Sequence, residues 1–381
     1  MWYKMIERLL KIQIKNKLYR GKAVIVVGPR QVGKTTLLRM LASDTDRSVL
    51  VWNCDEPDVR QKLNEPTSTE LGAETSGADL ILIDEAQRVP NIGVTLKLLI
   101  DHFPEKQVVV TGSSAIELSN SINEPLTGRK YEYTMYPFSA EELIGNHGTV
   151  EERRMLERRL VYGSYPEVVN HPGEERETLT NLVSSYLYKD IFSFQDVRKP
   201  EIIEQLLQAL ALQLGSEVSF NELGRLLGLT SITVQRYIDL LEKSCVLFHL
   251  RSFSRNARAE LKKSRKIYFY DNGVRNAMIG DYKSLDLRAD AGALWENYLL
   301  SERMKHNSYS VFYGKSYFWR TQQQQEVDYI EDYDGVLHAY EFKWNASKHP
   351  RLAATFAKAY PDHTFTVVSP ENYMAFLSGG I

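Results

Sequence analysis

The chain has 381 residues, with 47 lysines and arginines against 49 aspartates and glutamates, a net charge of −2, and 43% hydrophobic residues. Near-neutrality argues against a general attraction to nucleic acid, so any such contact has to come from a local basic patch; at about 150 residues per domain the length predicts two or three domains. Cys54 and Cys245 lie far apart and outside any C-x-x-C pattern, which argues against a disulfide framework or a zinc site and for a reducing compartment.

Residues 1–20 carry Met5, Ile6, Leu9, Leu10, Ile12 and Leu18 at helical spacing, interrupted by Lys4, Glu7, Arg8, Lys11 and Lys15. An amphipathic helix packed beside the first domain is expected. With no uncharged leader and no run long enough to span a bilayer, the expectation is a cytoplasmic protein without a membrane partner.

The apolar run Ala23 to Val27 is followed by Gly28, Pro29, Arg30, Gln31, Val32, Gly33, Lys34, Thr35 and Thr36, then by Leu37-Leu38-Arg39-Met40-Leu41. This reads strand, glycine loop, helix: a P-loop whose N–H groups and helix N-terminus cradle phosphate. Lys34 is placed on the β- and γ-phosphates and Thr35 on Mg²⁺. Val49 to Trp52 reads as a second buried strand, and Leu80 to Ile83 as a third, covered on both faces and ending in Asp84-Glu85. Acids at the carboxyl end of such a strand lie where ligands bind. Asp84 is assigned to Mg²⁺ through its water shell, and Glu85 to polarising the attacking water.

Gln107 to Gly112 gives another buried strand, after which Ser113 or Thr111 can sense the γ-phosphate, although Ser113-Ser114 serves equally as a helix cap. Arg129, in the loop Leu126 to Arg129, is a candidate arginine finger acting within the chain or on a neighbouring copy in a homo-oligomer; a solvated loop arginine is the competing reading. Ser139 with Glu142 forms a capping box that starts a helix. No guanine-reading motif follows, so adenine is the default base.

Gly28 to Thr36, Asp84-Glu85-Ala86-Gln87, Thr111 to Ser114 and Leu126 to Arg129 together resemble the AAA+-like ATPases common in bacteria and archaea, a family with a C-terminal domain that looks like a restriction-endonuclease fold. The resemblance extends to Tyr162 to Glu167 and Tyr188 to Ile191. It implies ATP, Mg²⁺ and the additional-strand form of the P-loop sheet.

Glu151 to Tyr162 and Thr178 to Phe194 read as two helices of a connector or lid. A third helix, Glu201 to Leu214, precedes a helix-turn-helix pattern: Phe220 to Leu227, the turn Gly228 to Thr230, and Ser231 to Glu242. Strands Val246 to Leu250 and Lys266 to Tyr270 flank a basic wing containing Arg251, Arg255, Arg258, Lys262, Lys263, Arg265 and Lys266. A winged helix is expected, with Ser231, Thr233, Gln235 and Arg236 offered to solvent and to DNA.

In the last part, Glu326 to Ile330 and Ala339 to Lys343 are alternating strands joined through Asp334-Gly335, a dipeptide favoured in two-residue turns. Counting outward sets Asp328 opposite Glu341 and Glu326 opposite Lys343 on one face, with Val327, Tyr329, Tyr340 and Phe342 on the other. Opposed carboxylates repel unless a cation separates them, which points to Mg²⁺ on Asp328 and Glu341, with Lys343 assisting phosphodiester cleavage. The pattern resembles the core of restriction-endonuclease-like nucleases, and that resemblance adds Glu296, in the helix Ala291 to His306, as a further metal-binding acid.

The expected fold is α/β throughout, in four parts: a P-loop parallel-sheet ATPase domain (1–145), a helical connector (146–199), a winged helix (200–272) and a restriction-endonuclease-like domain (273–381). The expected function is Mg²⁺-dependent binding and hydrolysis of ATP by a protein acting on or near DNA, with a C-terminal nuclease domain. The alternative is an ATP-dependent regulatory switch that binds a protein partner and uses the C-terminal domain only for binding.

Overall fold

The computed structural model describes residues 5–112, 122, 124–184, 200–254, 265–347 and 350–380. Two compact units are present: Met1–Phe138 with Lys243–Cys245, and Ser139–Glu242 with Val246–Ile381. The N-terminal stretch of the first unit ends at Phe138.

The first unit begins with α1 (Leu9–Lys15) and builds a five-stranded sheet from β1 (Ala23–Val27), β2 (Val49–Asn53), β3 (Leu80–Asp84), β4 (Gln107–Gly112) and β5 (Lys130–Thr134). The order is β2-β3-β4-β1-β5, and every pairing is parallel. Strand β4 is thus inserted between the P-loop strand and the strand that ends in Asp84. The helices α2 (Lys34–Ser43), α3 (Pro57–Leu63), α4 (Ser68–Thr75) and α5 (Ile92–His102) provide the crossovers.

All positions of β1, β3 and β4 are buried, as continuous apolar runs in a parallel sheet require. Strand β2 differs from the buried strand expected there. Among the described residues it pairs only with β3, and of its five residues Trp52 alone is buried, because an edge strand has an open side.

The second unit starts with the expected capping box: Ser139 Oγ accepts from Glu142 N at 3.2 Å and Glu142 accepts from Ser139 N at 3.0 Å, opening α6 (Ala140–His147). The single helix expected over 151–162 is two, α7 (Thr149–Arg154) and α8 (Leu156–Tyr162), broken at Met155. Then follow α9 (Pro166–Asn170) and α10 (Glu175–Leu182). Most of the helix expected over 178–194, including Tyr188 to Ile191, lies outside the described residues.

Next come α11 (Pro200–Leu212), β6 (Glu217–Val218), α12 (Phe220–Leu227), α13 (Ser231–Lys243), β7 (Leu247–Ser252) and β8 (Arg265–Phe269). The turn between α12 and α13 uses Gly228 in the left-handed region, and Thr230 Oγ1 accepts from Thr233 N at 3.2 Å to cap α13. Of the four residues expected to face solvent on α13, Gln235 and Arg236 are exposed, while Ser231 and Thr233 are half-buried. Ile232 is 72% exposed, so this surface is partly apolar.

The rest of the unit is α14 (Asn272–Ile279), α15 (Ala291–Tyr309), β9 (Lys315–Arg320), β10 (Glu326–Tyr333), β11 (Val336–Phe342), α16 (Ala354–Ala359), β12 (His363–Val368) and α17 (Tyr373–Leu377). Strands β6 to β12 form one sheet in the order β12-β11-β10-β9-β7-β8-β6, joined by the parallel pair β7–β9. One sheet therefore runs across the boundary expected at 272/273.

The β10–β11 hairpin turns at Asp334-Gly335, both with positive φ, and Tyr333 pairs with Val336 as counted from the sequence. Its faces depart from simple alternation. The register of β10 against β9 shifts between Val327 and Ile330. Val327 packs with Ile330, Leu337, Ala339 and Phe356, whereas the Tyr329 ring lies 5.9 Å from Tyr340 and 6.2 Å from Phe342. Val327 and Tyr329, expected on one face, are on opposite faces, because an extra residue in a bulge inverts the alternation.

Candidate functional site

The P-loop sits between the carboxyl end of β1 and the first turn of α2. Gly33 caps that helix at φ +97°, a conformation open to glycine and strained for other residues. At Gly28 the need is space: a Cβ there would stand 2.3 Å from the Met135 carbonyl oxygen. Lys34 is buried, and its Nζ donates to the carbonyls of Gly28 at 2.9 Å and Pro29 at 2.8 Å, curling across the loop it follows.

The acids arrive from β3. Asp84 is buried; its Oδ2 accepts from Thr35 Oγ1 at 2.6 Å, and its Oδ1 accepts from Thr111 Oγ1. The ends of β3, β4 and β1, neighbours in the sheet, each contribute to this arrangement. Glu85 follows in the left-handed region at φ +53°, its carboxylate accepting from Gln87 Nε2 at 2.6 Å and its N–H donating to Thr111 Oγ1 at 3.3 Å. A non-glycine residue in this conformation costs on the order of 1 kcal/mol and has to be held by its surroundings. The Cys54 thiol beside them is pushed up to about 12 by burial and then by the negative charge of Asp84.

Thr35 and Asp84 offer hard oxygen donors within hydrogen-bond distance of each other, a set that fits Mg²⁺. Thr111 was one of two candidates for sensing the γ-phosphate; its hydroxyl is bonded to Asp84. The other candidate, Ser113, lies outside the described residues. Arg129 is displaced from the expected nucleotide edge. Its carbonyl pairs with Ala23 N, at the opposite end of β1 from Gly28, and its Nε donates to Asp101 at 2.7 Å. Four strand residues lie between Ala23 and Gly28, a separation of about 17 Å, which removes Arg129 from the P-loop of its own chain.

Residues 20–144 match the AAA domain family. Over these residues the chain is similar to AAA-type P-loop ATPase domains. Beyond them, residues 153–285 and 291–377 each match a domain of unknown function. An uncharacterised protein of Mycobacterium tuberculosis is 26% identical over 356 residues, covering 92% of this chain and 76% of that protein. One from Haemophilus influenzae is 26% identical over 291 residues, covering 73% of this chain and 68% of that protein. Among solved structures, a Walker-type ATPase of Pyrococcus abyssi is similar at a TM-score of 0.50 and 15% identity, covering 72% of this chain and 96% of that one; this is a likeness of fold.

Beyond the ATPase domain, the acids of the second unit form a different kind of site. Glu296 Oε1 on α15 accepts from Tyr268 OH at 2.6 Å and lies 3.2 Å from Lys266 Nζ, which also pairs with Glu326. Glu326 is 3.5 Å from Arg320 Nε. Lys343 Nζ is 2.7 Å from Glu341 and 3.8 Å from Asp328, and Asp328 accepts from Phe342 N at 2.8 Å. The expected Glu326–Lys343 juxtaposition is absent: β11 ends at Phe342, and Lys343 turns back to Glu341 and Asp328.

Burial, followed by the neighbouring Glu296, pushes the Asp328 carboxyl up to about 7, and burial with Asp328 raises Glu341. Burial alone would lower Lys266, but Glu296 and Glu326 outweigh it and hold the ammonium above its ordinary value. Among the described residues, no three His, Cys, Asp or Glu side chains gather as a metal-ligand set. The three acids expected to hold Mg²⁺, Glu296, Asp328 and Glu341, each stand beside a lysine. Neutralising charge comes from two lysines, each set between a pair of acids.

Lys266 also leaves the basic wing, since it is buried in the sheet; Arg265 stacks over the Phe220 ring at 5.6 Å, and Arg251 Nε donates to His249 Nε2 at 3.3 Å. The other expected wing residues, Arg255, Arg258, Lys262 and Lys263, lie outside the described residues. No helix among the described residues is long and apolar enough to cross a membrane.

Proposed function

We propose that the first unit binds MgATP and hydrolyses it to ADP and phosphate. The observation that carries this reading is Asp84 fixed at both oxygens by Thr35 and Thr111, beside a Glu85 held in place by Gln87. On this reading the Lys34 ammonium exchanges the carbonyls of Gly28 and Pro29 for phosphate oxygens. The N–H groups of Pro29's successors, Arg30 to Thr36, line the cradle. Thr35 and Asp84 would hold Mg²⁺, which when bound supplies charge neutralisation to the β- and γ-phosphates.

Glu85 accepts a proton from water as the water oxygen bonds to the γ-phosphorus, and the bond to the β-phosphate oxygen breaks to release ADP. Phosphate release by the wild type, Glu85→Gln and Lys34→Ala tests this. Glu85→Gln should lose at least about a hundredfold in kcat while still binding ATP, and Lys34→Ala should lose binding. Wild-type turnover in Glu85→Gln overturns the assignment of the base.

A helix, a short strand, a helix-turn-helix and a hairpin in the second unit, with Gln235 and Arg236 exposed on α13, favour DNA as a ligand of that unit. The acids Glu296, Asp328 and Glu341 are paired with lysines, and no cleavage step is assigned to them. A regulatory switch with a binding-only C-terminal region is compatible with the same residues, and stimulation of turnover by duplex DNA separates the two readings.

A further inference from the structure

Arg8 is 3% exposed, far more buried than its place in a charged amphipathic segment suggests. Its Nη1 donates to the Val32 carbonyl at 2.6 Å, its Nη2 donates to the Tyr136 carbonyl at 2.6 Å, and its guanidinium carbon stands 4.8 Å from the Phe138 ring centroid. A Cβ on Gly33 would lie 3.7 Å from Nη1, so the guanidinium rests against the left-handed glycine that opens α2. One planar group thus joins the P-loop to the segment leaving β5. Those segments also meet directly, with Met135 N donating to Val27 O at 2.8 Å.

The carbonyl and the following N–H of a trans peptide point in opposite directions. Holding Val32 O towards Arg8 therefore turns Gly33 N–H to the other side of the loop. Glycine puts little steric resistance in the way of rotating that peptide, and a rotated peptide presents a carbonyl oxygen where an anion needs a donor. A buried guanidinium is costly unless its N–H groups are satisfied, so its presence under the loop calls for a function there.

We infer that Arg8 is a positioning residue for nucleotide binding: it locks the Val32–Gly33 peptide with its N–H facing the phosphate and ties that orientation to residues 136–138. This rests on the P-loop reading given above. Arg8 acts on the cradle and leaves Glu85 and the attacking water alone, so its loss weakens the substrate and transition-state complexes alike.

The test is MgATP affinity and steady-state hydrolysis with the full chain, for the wild type, Lys34→Ala, Arg8→Ala and Arg8→Lys. Arg8→Lys keeps the charge without the planar fork and guards against loss of fold in the alanine variant. Both Arg8 variants should bind MgATP about tenfold or more weakly and raise KM by a similar factor, with kcat within about threefold of wild type. Millimolar guanidinium should restore part of the affinity of Arg8→Ala and none of that of Lys34→Ala. Wild-type affinity in the Arg8 variants, alongside a Lys34→Ala protein that does not bind, overturns the inference alone, as does a loss confined to kcat. A wild-type chain that binds no MgATP removes the P-loop reading and this inference with it.

Discussion

Asp84 accepts hydrogen bonds from two threonines on different strands or helices, so its orientation is set by the fold before a nucleotide arrives. Burial at the same corner controls Cys54, and a separate buried position controls Cys245; burial pushes both thiols up to about 12 from an ordinary 9.0. An acid whose folded pKa lies above its unfolded value keeps its proton where the unfolded chain has lost it. Its contribution to stability is present below pH 9 and declines between pH 9 and about 12. The native protein at pH 8 should leave both thiols unmodified by an aromatic disulfide reagent, urea should expose both, and the urea midpoint should fall above pH 9. Native labelling as fast as in urea contradicts their burial.

The residues proposed to hold phosphate stand out in the sequence because loop, lysine and acids occupy fixed places on adjacent strand ends. Arg8 does not. A charge on an amphipathic segment reads as solvated, and only the folded chain brings it under Val32, 24 positions away. Lys266 misled for the same reason: counted among basic neighbours it looked like a wing residue, yet its side chain enters the sheet between Glu296 and Glu326.

Among the elements, β1, β3 and β4 announce themselves as unbroken apolar runs, and a fully buried parallel strand needs such a run. Val49 to Trp52 has the same character, but strand order, a property of distant pairings, puts it at the edge. The break at Met155 and the bulge between Val327 and Ile330 carry no glycine or proline, so the local chain gives no sign of them. The bulge matters to chemistry because it alters which side chains share a face with Asp328. What holds β8, β10 and α15 together at that point is Lys266. Lys266→Met should cost about 3 kcal/mol in urea unfolding, because Glu296 and Glu326 are left without their shared cation. Adding Glu296→Gln should recover part of that loss. A Lys266→Met protein as stable as wild type would show that the buried ion pairs contribute nothing.

Taken as a whole molecule, the chain confines its proposed nucleotide machinery to the first unit: loop, lysine, threonines and acids all come from β1, α2, β3, its following turn and β4. The second unit contributes a seven-stranded sheet and a helix-turn-helix, and its acids are held by lysines. Hydrolysis at the first unit is the central claim, and a single turnover tests it most directly. Enzyme in excess is mixed with Mg²⁺ and labelled ATP, quenched with acid at intervals, and the bound nucleotide identified. Wild type should convert its ATP to ADP, while Glu85→Gln should hold ATP intact over the same interval and Lys34→Ala should hold none. Intact ATP on the wild type, or ADP formed as fast on Glu85→Gln, would contradict the account.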